Sequence, residues 1–493
     1  MPAKFGIFSD YSLNSKFLSK TKHETMKKNF FTLAALLFLS CLNFSANAYL
    51  RLPDLLSDNM VMQQQSKINF HGWAEPGKKI NVIASWNGDT LKAVTNSDAA
   101  WSVDMETPKA GGPYQITIIG DSTITIHNVL IGEVWLCSGQ SNMEFSADWH
   151  FNNYQEEINN AQHPEIRFFH IQKITAPYPQ QEVSGKWEVC TPQSMHTLSA
   201  AGYFFGRTLN EQLHQPVGLI ESCWGGTPVE TWMPGEIFNH NETLAVSATT
   251  LKPASWWPVK PALAYNAMIA PVTNFTIAGT IWYQGESNTS NASTYEEAFS
   301  AMIHSWREHW QKDLPFYFVQ IAPYKYGNNY GGALVREAQL QTYRHVPNTG
   351  MVVITDITGD TSDIHPKDKQ DVGKRLAAWA LAKTYGKEGI QYSGPLYRSM
   401  EINGNKAVIQ FDFAADGLVK KGDQLSDFVI AGEDHHFVPA IAKIKDSTII
   451  VYSSQVPHPV AVRMGFTNTA IPNLFNKAGL PASPFRTDVW EEK

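Results

Sequence analysis

The chain has little cysteine: four in 493 residues, one of which, Cys41, lies in a segment that reads as removable. The remaining Cys137, Cys190 and Cys223 allow at most one bridge, so a disulfide framework is excluded and the fold must rest on burial. No CxxC pair and no His/Cys cluster has metal-ligand spacing, so no metal is expected. Basic charge is scarce as well, with 39 Lys plus Arg against 46 Asp plus Glu. Six Lys and two acidic residues fall in positions 1–48, which leaves −11 on residues 49–493. A surface of that sign repels phosphate backbones, so nucleic acid is not an expected partner. Long repeats and low-complexity linkers are absent, and the apolar run from Phe30 to Leu42 is too short to span a bilayer.

What is present is enough to fold. Apolar residues make up 43% of the chain and charged ones 17%, which excludes disorder, coiled coil and collagen. The length calls for more than one domain. Fifteen Trp, 18 Tyr and 26 Phe supply many flat apolar faces, for which sugar rings are a common ligand.

From Met26 the sequence runs Lys27, Lys28, the apolar stretch, then Ala46-Asn47-Ala48 before Tyr49. This is the pattern of a secretory signal peptide over residues 26–48, with translation starting at Met26 and cleavage after Ala48. A lipid anchor on Cys41 is the competing reading, weakened by Phe38 where a lipobox carries Leu. Residues 1–48 are therefore set apart from the fold, and the product is expected outside the cytoplasm, secreted or periplasmic.

Residues 49–129 read as a β-rich domain. Period-2 runs at Lys67–Phe70, Lys79–Ser85, Trp101–Asp104, Tyr114–Ile119 and Thr123–Ile126 are punctuated by Pro76-Gly77, Asn87-Gly88-Asp89 and Gly111-Gly112-Pro113. From 130 to 386 strand-like segments (Val134–Cys137, Val217–Ser222, Ile277–Tyr283, Phe316–Ile321, Met351–Thr355) alternate with amphipathic stretches at Ser199–Leu213, Tyr295–Trp310 and Lys367–Tyr385. That alternation predicts an α/β fold, a parallel sheet with helices on both faces and functional loops at the carboxyl ends of its strands. Residues 387–493 return to short strands, a C-terminal β-rich region.

Four loops follow strands and carry residues suited to acyl transfer. In Cys137-Ser138-Gly139-Gln140-Ser141-Asn142-Met143 the small Gly139 lets Ser141 project from a strand tip; the second glycine of the G-x-S-x-G elbow is replaced by Met143. A serine hydroxyl needs a base, and His365 in Asp363-Ile364-His365-Pro366 follows a strand and precedes a helix that Pro366 can begin. Asp363 can orient the imidazole through Nδ1, with a backbone carbonyl or Asp360 as alternatives. Trp224-Gly225-Gly226-Thr227 offers backbone N–H donors, and the run Trp282-Tyr283-Gln284-Gly285-Glu286-Ser287-Asn288 offers the amides of Gln284 and Asn288. Together they form the parts of a hydrolase that passes through an acyl-enzyme.

In this order, Gly-Gln-Ser-Asn-Met, Trp-Gly-Gly-Thr-Pro, Trp-Tyr-Gln-Gly-Glu-Ser-Asn and Asp-Ile-His-Pro resemble the sialate O-acetylesterase family of SGNH-type hydrolases over roughly residues 130–385. The resemblance implies an SGNH-like core flanked by β regions, and a secreted serine esterase that removes O-acetyl groups from sugars without a cofactor. It implies Ser141 as nucleophile, His365 as base and Asp363 as the acid member, although the wider superfamily carries its Asp three residues before the His, where Ser362 stands. The oxyanion would be held by the N–H of Ser141, by Gly225 or Gly226, and by Asn288 with Gln284 as rival. Gln140, Glu286, Asn266 and Arg336 would contact the substrate, Arg336 as the cation for a sialate carboxylate. An esterase acting on acetylated hemicellulose or pectin is the nearest alternative, and a carbohydrate-binding protein with an inactive core is the alternative from another class. The oligomeric state is left open.

Overall fold

A computed structural model of the chain describes residues 49–327 and 330–491. The signal-peptide reading of 26–48, the lipid anchor at Cys41 and the start at Met26 lie outside the described residues. From Leu50 onward the chain clusters as one unit.

The first thirteen strands are β1 (Val61–Gln63), β2 (Lys67–Trp73), β3 (Lys79–Ala84), β4 (Thr90–Val94), β5 (Ala100–Glu106), β6 (Gly111–Ile119), β7 (Thr123–Gly139), β8 (His163–His170), β9 (Trp187–Cys190), β10 (Val217–Cys223), β11 (Gly279–Tyr283), β12 (Phe316–Val319) and β13 (Thr349–Val352); β2 and β5 pair with each other and the other eleven form the central sheet. The main path runs β13-β12-β11-β7-β10-β8-β9. It is parallel except for the β8–β9 edge pair. Strand order reverses around β7, with β10 on one side and β11 on the other, and such a switch point opens a crevice at the carboxyl ends.

The sequence reading ended one strand at Ile126 and began another at Val134; the structure joins them. β7 is 17 residues long and pairs with β6 in its first half and with β10 and β11 in its second. Every residue from Val129 to Gly139 is buried and the strand is unbroken, so the change of character at 130 falls inside one strand. Gly111-Gly112-Pro113, read as a turn, lies in β6 beside a register shift.

Alternation along β7 and β12 sorts side chains to the two faces. Val134 and Leu136 join Phe316 and Phe318 under the helix Tyr295–Trp310, which contributes Phe299 and Trp306. Trp135, Cys137, Tyr317 and Val319 pack on the opposite face with Phe204, Leu209, Leu376 and Trp379, from the helices Ala200–Leu213 and Lys369–Trp379. Ser199 caps the first of these through the Gly202 N–H at 3.0 Å. Residues of the C-terminal part form two four-stranded sheets over their own core of Ile409, Ile430, Ile449 and Val462. Its Arg486 makes paired 2.7 Å contacts with Glu337, on the helix Gly331–His345. Cys137, Cys190 and Cys223 are free and buried, and burial pushes their thiols upward, that of Cys190 to about 12.

Candidate active site

Three strands end level with one another. Gly139 at the end of β7 is in register with Cys223 of β10 and with Tyr283 of β11, so the loops that follow emerge side by side. Gly139 has φ +139°, and a Cβ there would stand 2.2 Å from the Tyr283 carbonyl oxygen. Only glycine fits that approach. The next N–H, of Gln140, donates to the same carbonyl at 3.0 Å. The chain then turns into the short helix Ser141–Glu144, which begins with the serine itself.

His365 arrives from the far side of the sheet, in the loop between β13 and the helix Lys369–Trp379. Its Nε2 lies 3.0 Å from Ser141 Oγ across 224 residues of sequence. With the imidazole neutral, the hydroxyl donates and Nε2 accepts. Burial, then the charge of Lys369, hold the imidazole below its ordinary pKa, against the opposing pull of Asp363 and Glu144. The neutral, proton-accepting form is thus present at neutral pH. Phe145 and Trp149 flank the ring at centroid distances of 6.0 and 5.7 Å. The helix that Pro366 was expected to open starts at Lys369, because the side chain of Asp368 caps it through the Asp371 N–H at 3.0 Å.

Asp363 does not hydrogen-bond the imidazole. Its Oδ1 accepts the backbone N–H of His365 at 2.9 Å and stands 3.8 Å from Nδ1, beyond hydrogen-bond reach. A two-residue separation closes an Asx turn before it can reach the ring. Asp360 is occupied by Ser362, through its N–H at 2.8 Å and its hydroxyl at 2.6 Å. The carboxylate of Asp363 is 48% exposed, so its field at the ring is screened. Asp363→Asn keeps an oxygen for the turn and is expected to lower kcat/KM by less than about tenfold, read from initial rates of acetate release.

The expected oxyanion donors divide. Gly225 lies against Ser141, a Cβ built on it being 3.2 Å from Ser141 Cβ. Its N–H, however, is taken by Glu144 Oε2 at 2.7 Å, and Glu144 is in turn paired with Lys173. Asn288 and Gln284 are also committed. Asn288 Oδ1 accepts from Val229 N–H at 2.9 Å and from Gln284 Nε2 at 2.7 Å, while its Nδ2 donates to Glu230 at 2.9 Å. Gln284 further accepts from Tyr295 Oη at 2.9 Å. Fully buried amides need such partners, and these two bolt the loops after β10 and β11 together rather than facing the serine. Burial pushes the Glu230 carboxyl upward at the centre of that joint.

Among the described residues the N–H of Ser141, as at any helix start, and that of Gly226 have no hydrogen-bond partner. Gly226 has φ +80°, its carbonyl accepts from Ser287 Oγ at 2.9 Å, and a Cβ there would enter the Trp257 ring at 2.3 Å. Gly226→Ala is expected to lower kcat by about 10²-fold, the scale of one lost oxyanion donor, with a change in tryptophan fluorescence reporting the displaced Trp257.

The residues expected at the substrate fare unevenly. Gln140 sits beside Ser141, its Oε1 accepting from the Gly285 N–H at 3.3 Å. Arg336 is 1% exposed. Its guanidinium donates to the carbonyls of Ala322 and Thr467, and it is therefore a buried strut, not a rim cation. Asn266 is likewise buried and donates to the Ala176 carbonyl at 3.1 Å, tying two loops. Glu286 is buried and faces inward, accepting from Asn142 Nδ2 at 2.6 Å. Five residues at the site, Glu144 among them, went unremarked in the sequence. Asn142 lies within the Gln-Ser-Asn-Met motif and was open to notice. Lys173, Trp149 and Lys369 carry no local signal, since lysines are ordinarily solvated and a lone tryptophan ordinarily core.

Comparison with known proteins supplies the context for this geometry. Residues 131–382 match the family described as carbohydrate esterase, sialic acid-specific acetylesterase. The human sialate O-acetylesterase is 29% identical over 90% of this chain and 93% of its own length. That of Pongo abelii is 31% identical over 77% of this chain and 79% of its own length. A crystal structure of a carbohydrate acetylesterase from Xanthomonas citri superposes with a TM-score of 0.82 at 36% identity, covering 90% of this chain and all of that one.

Proposed function

The chain belongs to the sialic acid-specific acetylesterase family of carbohydrate esterases, and from that premise we propose the residues and steps by which it removes an acetyl group from a sugar. It is a carboxylic ester hydrolase. The observation that carries the reading is the 3.0 Å contact between Ser141 Oγ and His365 Nε2.

Ser141 Oγ attacks the acetyl carbonyl carbon as its proton passes to His365 Nε2. The carbonyl oxygen becomes an oxyanion held by the N–H groups of Ser141 and Gly226, with the side-chain amide of the adjacent Gln140 as a further donor. The C–O bond to the sugar breaks, His365 returns the proton to the departing hydroxyl oxygen, and the acetyl group remains on Ser141. Water, deprotonated by the same imidazole, then attacks the acetyl carbonyl carbon; the bond to Ser141 Oγ breaks, His365 returns the proton to Oγ, and acetate leaves. Glu144 holds Gly225 so that the following N–H, of Gly226, is presented beside the nucleophile. Trp149, 41% exposed, and Trp256, 82% exposed, offer faces for sugar rings at this rim.

O-acetylated sialic acid is the substrate that the curated relatives' names suggest. One observation favours a neutral acetylated sugar, such as hemicellulose, as a second reading: Arg336 is buried and Lys173 is already paired with Glu144. Acetate released from O-acetylated sialoglycan and from acetylated xylan at equal acetyl concentration tests the choice. The sialate reading expects the higher kcat/KM on the sialoglycan; a preference of tenfold or more for xylan, about 1.4 kcal/mol, would reverse it. No helix among the described residues is long and apolar enough to cross a membrane. We assign the mature protein to the cell exterior or periplasm on the Lys27–Ala48 segment, and N-terminal sequencing of the exported product should begin at Tyr49.

A further inference from the structure

Beneath the Ser141–His365 contact lies a set of ionisable groups that the reaction does not use. Lys369 Nζ donates to Asn142 Oδ1 at 2.7 Å, and Asn142 Nδ2 donates both to Glu286 Oε1 at 2.6 Å and to the Ile364 carbonyl at 3.1 Å. All three side chains are buried. The ammonium has two aromatic faces around it, Phe145 at 4.7 Å and Tyr283 at 5.1 Å from the ring centroids. Glu286 Oε2 has no hydrogen-bond partner among the described residues. A buried lysine and a buried glutamate joined through a neutral amide are costly by comparison with apolar packing, so their location matters. Asn142 is the residue after the nucleophile, Ile364 the residue before the base, and Lys369 the first residue of the helix that follows the base.

We propose that Asn142, Lys369 and Glu286 are positioning residues, one amide clamping the serine turn to the histidine loop while the buried ammonium and carboxyl hold that amide's orientation. The inference rests on the catalytic roles proposed above for Ser141 and His365. The clamp ties the histidine loop to the serine turn, whereas Asp363 bonds only the backbone of its own loop, its Oδ1 standing 3.8 Å from Nδ1. A second consequence is electrostatic. Lys369 is the cation that, after burial, disfavours the protonated imidazole; Asp363 on the loop and Glu144 on the serine helix favour it. Around Lys369 itself stand Glu286, Asp363 and Asp368, which oppose the burial that lowers its pKa to about 7. Burial raises Glu286 to about 7, with Asn142 and Lys369 pulling it back.

The test is steady-state kinetics with p-nitrophenyl acetate on wild type, Lys369→Met, Asn142→Asp and Glu286→Gln, each checked by thermal melting. For Lys369→Met and Asn142→Asp kcat should fall on the order of 10²-fold, the cost of a misplaced reacting pair, while KM stays within about threefold. Glu286→Gln, which retains an oxygen for Asn142, should lose less. The acidic limb of kcat/KM should move to higher pH in Lys369→Met and stay in place in Glu286→Gln. A folded Lys369→Met with kcat within about twofold of wild type, or one whose limb does not move, would overturn the proposal. If Lys369→Met does not fold, Asn142→Asp decides by the same kcat criterion. A wild type that hydrolyses no acetyl ester would overturn the catalytic reading and this inference together, whereas an active wild type with indifferent variants overturns the inference alone.

Discussion

Ser141→Ala is expected to yield a folded protein whose kcat for acetate release is lower by about 10⁴-fold or more. The Oγ has one described hydrogen bond, to His365 Nε2, and the Ser141 main chain keeps its place through the Gln140 N–H on Tyr283 and the Phe145 N–H on the Ser141 carbonyl. Removing the hydroxyl therefore takes away the nucleophile and very little stability. What remains is binding and the backbone donors, enough for a residual rate above that of water. Quantified acetate from an acetylated sugar, beside a melting curve matching wild type, checks both halves. Undiminished turnover would remove Ser141 from the chemistry.

His365→Ala should cost a comparable factor, and the double variant Ser141→Ala/His365→Ala no more than either alone, because the two side chains act as one unit. The pH profile carries a second expectation. In the proposed mechanism the base is the neutral imidazole; burial and Lys369 lower its pKa below the ordinary value. As pH falls, the proton-accepting form therefore persists below about 6.5, where an unperturbed histidine would already be half charged. The acidic limb of kcat/KM in wild type should lie below that value and vanish in His365→Ala.

The α/β core was legible in the sequence because burial leaves a periodic mark. Strand segments such as Ile277–Tyr283 and the helix Tyr295–Trp310 announced themselves by runs and stripes of apolar residues, and the structure carries strands at Gly279–Tyr283 and a helix over Tyr295–Trp310. β7 was read as two strands because its first half alternates and its second is buried on both faces; a change of environment was mistaken for a change of element. At the site, Gly139 and Gly226 marked close approaches that no Cβ permits. Asn288, Gln284, Glu286 and Arg336 looked like ligand-facing groups, since polarity in a strand-end loop does not disclose which way a side chain turns.

Taken alone, the order of residues carried the alternation of strands and helices, which is a matter of local pattern, and the motifs that resemble the family, and it offered a serine at 141 and a histidine at 365 as a candidate pair. Tertiary structure alone decided which donors remain free: Gly226 rather than Gly225, whose N–H is held by Glu144, and neither Asn288 nor Gln284. It also decided that Asp363 bonds the backbone and that a buried lysine lies under the site. The physical reason is that a hydrogen-bond donor has few partners and is spent on whichever lies nearest in space, a competition among residues far apart in the chain.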